Sequence, residues 1–123
     1  MNLLLIDDDE IDRAAIIRAL DQSSLAFKVM EANCAQSGLE FACQQRFDGI
    51  LLDYMLPDAN GLEVLSRLNE SAGEQTAVVM ISRYEDDKLA QRCIELGAQD
   101  FLLKDEVNTS RLTRAIRNAK QRA

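Results

Sequence analysis

Four short apolar runs in this 123-residue chain each end in a polar group able to do chemistry. Leu3-Leu4-Leu5-Ile6 runs into Asp7-Asp8-Asp9, and Ile50-Leu51-Leu52 runs into Asp53. Val78-Val79-Met80-Ile81 leads to Ser82, and Phe101-Leu102-Leu103 leads to Lys104. Three carboxylates gathered within a few ångströms repel, and each raises the others' pKa. A divalent cation relieves that repulsion, and a site offering only oxygen ligands favours Mg²⁺. Lys104 adds a fixed positive charge and a donor. Its attraction to an anion at Asp53 reaches about 4 kcal/mol at roughly 4 Å and an effective dielectric near 20, before desolvation. Metal and ammonium together suit a carboxylate nucleophile attacking a phosphoryl group, a reaction made mostly of positioning and charge neutralisation. Ser82 can hydrogen-bond a phosphoryl oxygen.

The chemistry requires elements that bring the four ends together. Asn2 to Ile6 is too short for a helix and reads as a buried strand; Ile11, Ala14, Ala15, Ile17 and Leu20 then recur at helical spacing. Phe27 to Glu31 half alternates, as an edge strand would. Asn33 with Gln36 looks like a capping box opening a helix through Gln45. Gly49 to Leu52 is a third strand, and Leu62, Leu65 and Leu68 line the next helix. Gln75 to Ile81 is a fourth strand, followed by a helix carrying Leu89, Cys93 and Leu96 that Gly97 terminates. Phe101 to Leu103 is a fifth strand, and Leu112, Ala115, Ile116 and Ala119 make a last helix entered through Asn108, Thr109 or Ser110. Strand then helix, five times over, predicts an α/β domain with a parallel sheet covered on both faces. In such a sheet all strand ends point one way, so the groups after strands one, three, four and five converge on one crevice. The prediction is a single domain over residues 1–123, without linker or repeat.

Composition narrows the class further. A net charge of -7 argues against this domain itself gripping nucleic acid or an anionic membrane. No signal peptide or transmembrane window is present, and Cys34, Cys43 and Cys93 read as reduced thiols in a cytoplasmic protein. The chain has no histidine, which removes Ser/His and Cys/His catalysis and any histidine phosphorelay within it. If phosphohistidine is the donor, another protein brings it.

With Asp7-Asp8-Asp9, Leu-Leu-Asp53-Tyr-Met-Leu-Pro57-Asp58-Ala-Asn60-Gly61, Val-Val-Met-Ile-Ser82 and Gly97-Ala-Gln-Asp-Phe101-Leu-Leu-Lys104 in this order, the chain resembles a response-regulator receiver domain. That is the phosphoacceptor module of bacterial two-component signalling. The resemblance covers the whole chain and implies a doubly wound, flavodoxin-like fold of five strands in the order 2-1-3-4-5 with five helices. It implies that Asp53 accepts the phosphoryl group from a histidine kinase or phosphotransfer protein. Asp8 would ligate Mg²⁺ directly, Asp7 mainly through water, and the Met55 backbone carbonyl would join them with Asp53. Ser82 and Phe101 fall at the switch positions. The face formed by the fourth helix, fifth strand and fifth helix would then change its partner preference or dimerise. Gly97 to Glu106, together with Ser82-Arg-Tyr-Glu-Asp-Asp, also resembles receivers that precede diguanylate cyclase domains.

Each group also has a plainer reading. Asp7, Asp8 and Asp9 can cap and charge the first turn of a helix. Ser82 with Glu85 fits a capping box. Phe101 can be core, Lys104 a solvated lysine, and Asn60-Gly61 is turn chemistry whatever the function. These readings would have to hold at four strand ends at once. The chain also departs from the family pattern. Asp105 follows Lys104 where proline is usual, so a trans bond is expected, because a non-proline cis bond costs about 2.5–4 kcal/mol. Arg83 stands where a small residue is preferred; it would obstruct the donor, or pair with the phosphate or Asp58. Met55 and Tyr84 occupy the positions that tune water access, and as bulky groups they predict slow autodephosphorylation.

The leading expectation is a phosphorylation-driven binding switch rather than an enzyme. Against a Mg²⁺-dependent phosphohydrolase stands Met55, where such an enzyme carries an acid two residues after the nucleophile. Against a pseudo-receiver that never takes phosphate stands the presence of every acid and the lysine. Arg83 and Asp105 keep the latter open, as does the choice between a complete regulator and part of a longer one.

Overall fold

The computed structural model describes residues 1–71 and 77–122. Five strands alternate with five α-helices: β1 (Asn2–Ile6), α1 (Glu10–Asp21), β2 (Lys28–Ala32), α2 (Ala35–Gln44), β3 (Gly49–Asp53), α3 (Gly61–Ser71), β4 (Val78–Ser82), α4 (Asp87–Glu95), β5 (Asp100–Leu103) and α5 (Thr109–Arg122). A 3₁₀ turn, Lys104–Glu106, joins β5 to α5. Every strand pair is parallel, and the order is β2-β1-β3-β4-β5. Gln75 and Thr76, expected at the start of the fourth strand, lie outside the described residues.

The continuous apolar runs exist because the central strands are buried on both faces. Alternate residues feed two separate cores. Leu4, Ile6, Ile50, Leu52, Val78 and Met80 pack with Val64, Leu65, Leu68 and Cys93 of α3 and α4. Leu3, Leu5, Leu51, Val79 and Ile81 pack with Ile16 and Leu20 of α1 and with Leu112, Ala115, Ile116 and Ala119 of α5. Each fully buried Leu or Ile contributes about 1.5–3 kcal/mol, so these layers hold the sheet that carries the strand ends.

Several local expectations need correction. Asn33 does not cap α2. Cys34 is the N-cap, with Sγ accepting from Ser37 N at 3.5 Å. A distant carboxylate does more: Asp58 accepts from Ala35 N at 2.8 Å and from Gln36 N at 2.9 Å. Charge and hydrogen bonds at a helix N-terminus both favour this acid, and the two amide bonds pull its pKa below the usual carboxylate range, that to Ala35 foremost. Ser82 does not open a capping box either, because α4 starts later and Asp86 caps it through Leu89 N at 3.1 Å. Gly97 does end α4, at φ 105°, a left-handed conformation that favours glycine. Asn108 caps α5 by accepting from Arg111 N at 2.8 Å. No cis peptide bond occurs among the described residues, so Lys104-Asp105 is trans as expected. No described helix is long and apolar enough to cross a membrane.

Candidate functional site

The carboxyl edge of the sheet gathers the strand-end residues. The parallel register sets Ile6 beside Leu52, Asp53 beside Ile81 and Ser82 beside Leu103. Asp7 and Lys104, one residue beyond their strands, therefore flank Asp53. This is where the chain order reverses between β1 and β3, with α1 on one face of the sheet and α2 on the other, a geometry that leaves a crevice.

Lys104 is the hub. Its Nζ lies 2.9 Å from Asp7 Oδ2, 2.8 Å from Asp12 Oδ2 and 3.1 Å from Asp53 Oδ2. Asp7 is buried; its Oδ1 accepts from Asp9 N at 2.9 Å, and its backbone carbonyl accepts from the Arg13 guanidinium at 2.6 Å. Arg13 in turn pairs with Glu31 at 3.0 Å. Asp53 Oδ1 accepts a long bond from Met55 N, 3.4 Å.

Burial raises the pKa of Asp53 from 3.8 to about 6, the neighbouring Asp7 charge adds to this, and Lys104 opposes both. For Lys104, burial alone would lower the pKa. The hydrogen bond to Asp12, the close pairing with Asp7 and the charge of Asp53 outweigh it, so the ammonium ends above its ordinary value. The pair is thus a strained carboxylate beside a securely charged lysine.

One oxygen in this set is underused. Asp7 Oδ2 is buried and makes no hydrogen bond, although its ion-pair distance to Lys104 is short. Oxygens of Asp7, Asp8 and Asp53 all lie within 4.8 Å of one another. An all-oxygen set with an unsatisfied buried acceptor fits a hard divalent cation such as Mg²⁺. Above it opens a crevice of about 210 Å³, lined among others by Asp8, Asp53, Met55, Arg83, Tyr84 and Lys104.

The remaining expected residues sit close by with other engagements. Ser82 is buried, and its Oγ donates to Tyr84 O at 3.2 Å and accepts from Tyr84 N at 3.1 Å, so it bonds the β4–α4 loop rather than Asp53. Phe101 is half-buried against the core on the α2–α4 side. Met55 and Tyr84 are exposed at the mouth. The loop holding Met55 is closed by a bridge between Met55 and Asn60 and by a 2.6 Å bond from Gly61 N to Tyr54 O. Gly61 is required there, because a Cβ would lie 2.9 Å from Tyr54 Cα.

Arg83 does not pair with Asp58. Its Nη2 reaches Asp12 Oδ2 at 2.7 Å and Asp9 Oδ2 at 2.9 Å. Asp9 is also the N-cap of α1, accepting from Ile11 N and Asp12 N. Asp12 was missed from sequence. It lies one helical turn beyond Asp8 and three residues beyond Asp9, a spacing that keeps it on the crevice side of α1, and that spacing could have found it.

The sequence profile of the response regulator receiver domain matches residues 3–117. The chain belongs to this family. A two-component response regulator of Oryza sativa subsp. japonica, ORR6, is 35% identical over 108 residues, which cover 85% of this chain and 62% of that protein. A cyclic di-GMP phosphodiesterase of Thermotoga maritima is 31% identical over 121 residues, 96% of this chain and 32% of that protein. The chain thus spans less than two thirds of either relative. Among solved structures, the signal receiver domain of the response regulator NarL from Mycobacterium tuberculosis superposes with a TM-score of 0.82 at 30% identity, covering 97% of this chain and 95% of that one. A receiver domain protein from Clostridium thermocellum shares the fold with a TM-score of 0.87 at 24% identity, over 98% and 94% of the two chains. Receiver domains are signalling modules of two-component systems, and the five-stranded doubly wound fold of this one agrees with the order expected from its sequence.

Proposed function

We propose that this receiver domain takes a phosphoryl group on Asp53 from a partner histidine kinase or phosphotransfer protein. An oxygen of Asp53 attacks phosphorus, the bond from phosphorus to the donor's imidazole nitrogen breaks, and the electron pair leaves with the imidazole. The reading is carried by one observation: a buried carboxylate at a strand end, raised in pKa, faces a half-buried lysine 3.1 Å away. Lys104 holds a phosphoryl oxygen, and Ser82 can turn its hydroxyl from Tyr84 toward the same group. Asp7, Asp8 and Asp53 would hold Mg²⁺, with the Met55 carbonyl as a further ligand. When bound, the ion neutralises charge on the transferring phosphoryl oxygens.

Phosphorylation adds up to about two negative charges, and these bias Ser82, Phe101 and the α4-β5-α5 face toward an output partner or a second copy. The Thermotoga relative, a cyclic di-GMP phosphodiesterase, supports an output in the turnover of that nucleotide, and a diguanylate cyclase domain, which would make it, is one such output. The net charge of -7 supports a role without direct nucleic-acid or membrane contact, and the free cysteines support a cytoplasmic setting. Turnover of other phosphate esters is not expected, since Met55 offers no acid two residues after the nucleophile.

The test is intact mass after incubation with acetyl phosphate and Mg²⁺. Wild type should gain one phosphoryl group only when Mg²⁺ is present, and Asp53→Asn should gain none. An adduct that persists in Asp53→Asn would refute the assignment of the acceptor.

A further inference from the structure

Lys104 is crowded by carboxylates. Of the three N–H groups of its ammonium, two bond Asp12 and Asp53, and Asp7 Oδ2 stands 2.9 Å away as an ion pair. A phosphoryl oxygen arriving at Asp53 must compete with these three for the one ammonium. The side chains of Asp7 and Asp53 are only 1% and 7% exposed, whereas that of Asp12 is 25% exposed. Returning a carboxylate to water is easiest for the one already facing it. Asp12 is also the one of the three carried on a helix, in the first turn of α1, rather than at a strand end. A ready partner stands outside the crevice: Arg83, whose side chain is 54% exposed, holds the same Asp12 oxygen at 2.7 Å and Asp9 at 2.9 Å.

We propose that Asp12 is a positioning residue that competes with the incoming phosphoryl group for Lys104, and that Arg83 is the second arm of this clasp. In the resting protein the Asp12 carboxylate occupies the lysine. On phosphorylation it releases Lys104 and stays with Arg83 at the mouth. The inference rests on the phosphoacceptor reading of Asp53. It makes the clasp a selectivity device, because a small donor must break the Asp12–Lys104 contact unaided. A protein donor docking over α1 and the β4–α4 loop can draw Arg83 and Asp12 outward as it binds.

The test follows phosphorylation by intact mass over a range of acetyl phosphate concentrations at fixed Mg²⁺. The variants are Asp12→Asn, Arg83→Ala and Asp9→Asn, with folding checked by circular dichroism. Asp9→Asn is the control for plain electrostatics: it removes one charge from the same mouth, keeps a good helix cap and breaks no bond to Lys104. Asp12→Asn should lower the half-saturating donor concentration by about fivefold, the upper end for an ion pair at a partly exposed site. The maximal rate should hold within about twofold, as expected when only binding is contested. Arg83→Ala should shift it the opposite way, raising it, because Asp12 then loses the partner that draws it off Lys104; that sign still decides the matter if Asp12→Asn fails to fold. Asp9→Asn should give a clearly smaller shift than Asp12→Asn. An adduct in Asp12→Asn but not in wild type would be the same result in its strongest form. Equal shifts in Asp9→Asn and Asp12→Asn would overturn the clasp and leave general charge repulsion. A lower maximal rate in Asp12→Asn would overturn it too, since Asp12 would then be holding Lys104 in its productive place. No adduct in any of the four proteins would instead overturn the acceptor reading itself.

Discussion

Replacing Asp53 with asparagine should stabilise the metal-free protein, and the gain should depend on pH. Asp53 is pushed from 3.8 to about 6, first by burial and then by the Asp7 charge. Two pKa units at about 1.4 kcal/mol each amount to about 3 kcal/mol held against the ionised fold. The side chain is only 7% exposed, so solvent screening takes little of this away. The folded state holds its proton to a higher pH than the unfolded chain does. The stability contributed by protonated Asp53 is therefore complete below about pH 4 and is lost as pH rises through about 6. Asparagine copies the neutral carboxyl and can still accept from Lys104. The variant should match wild type near pH 4 and exceed it by about 2–3 kcal/mol at pH 7, with little further change above. Urea denaturation in EDTA across this range measures the gap. Mg²⁺ should then close it, because an ion that binds only the native wild type stabilises that protein by mass action. A variant no more stable than wild type at neutral pH, or a gap that ignores pH, would refute the electrostatic reasoning.

Further expectations concern the loops around the acceptor. Asp58→Ala uncaps α2, so its melting temperature should fall at neutral pH. The deficit should be complete above the ordinary carboxylate value of 3.8 and shrink as pH falls below it, because the folded pKa of Asp58 is depressed by its amide bonds; a deficit that stays constant would remove Asp58 from the cap. Gly61→Ala should cost about 1–3 kcal/mol in urea denaturation. The new Cβ would meet Met80 Cε at 2.6 Å, which can move, and Tyr54 Cα at 2.9 Å, which cannot. The aspartyl phosphate should persist well beyond seconds and decay faster in Met55→Asn or Tyr84→Ala, as followed by intact mass after donor removal. A lifetime of seconds that neither change alters would deny those side chains any control of water.

The strands were legible because a parallel sheet buries both faces, which turns Leu3 to Ile6 and Val78 to Ile81 into unbroken apolar runs. The convergence of Asp7, Asp53 and Lys104 was legible for a topological reason, since parallel strands share one carboxyl edge. What escaped were the side-chain pairings that loops and helix ends make with distant parts of the chain. The α2 cap looked like Asn33 because capping patterns are local, whereas its strongest acceptor, Asp58, sits 22 residues beyond Gln36. Asp58 was a mistaken partner for Arg83 for the same reason: Asp9 and Asp12, its actual partners, lie 74 and 71 positions away. Ser82 with Glu85 matched a cap by spacing, yet the chain turns first and Asp86 takes that place.

The sheet that carries the site is also a partition. Leu3 and Leu5 belong to the core beneath α1 and α5, while Leu4 and Ile6 belong to the core beneath α2, α3 and α4. Side chains on opposite faces of one strand thus share main chain but no packing partners. Defects made on opposite sides, such as Leu68→Ala with Ile116→Val, should add to within about 0.3–0.5 kcal/mol, whereas two defects in one layer should not. Each helical layer is therefore free to drift in sequence at its own pace, provided the strand ends between them keep their shared edge.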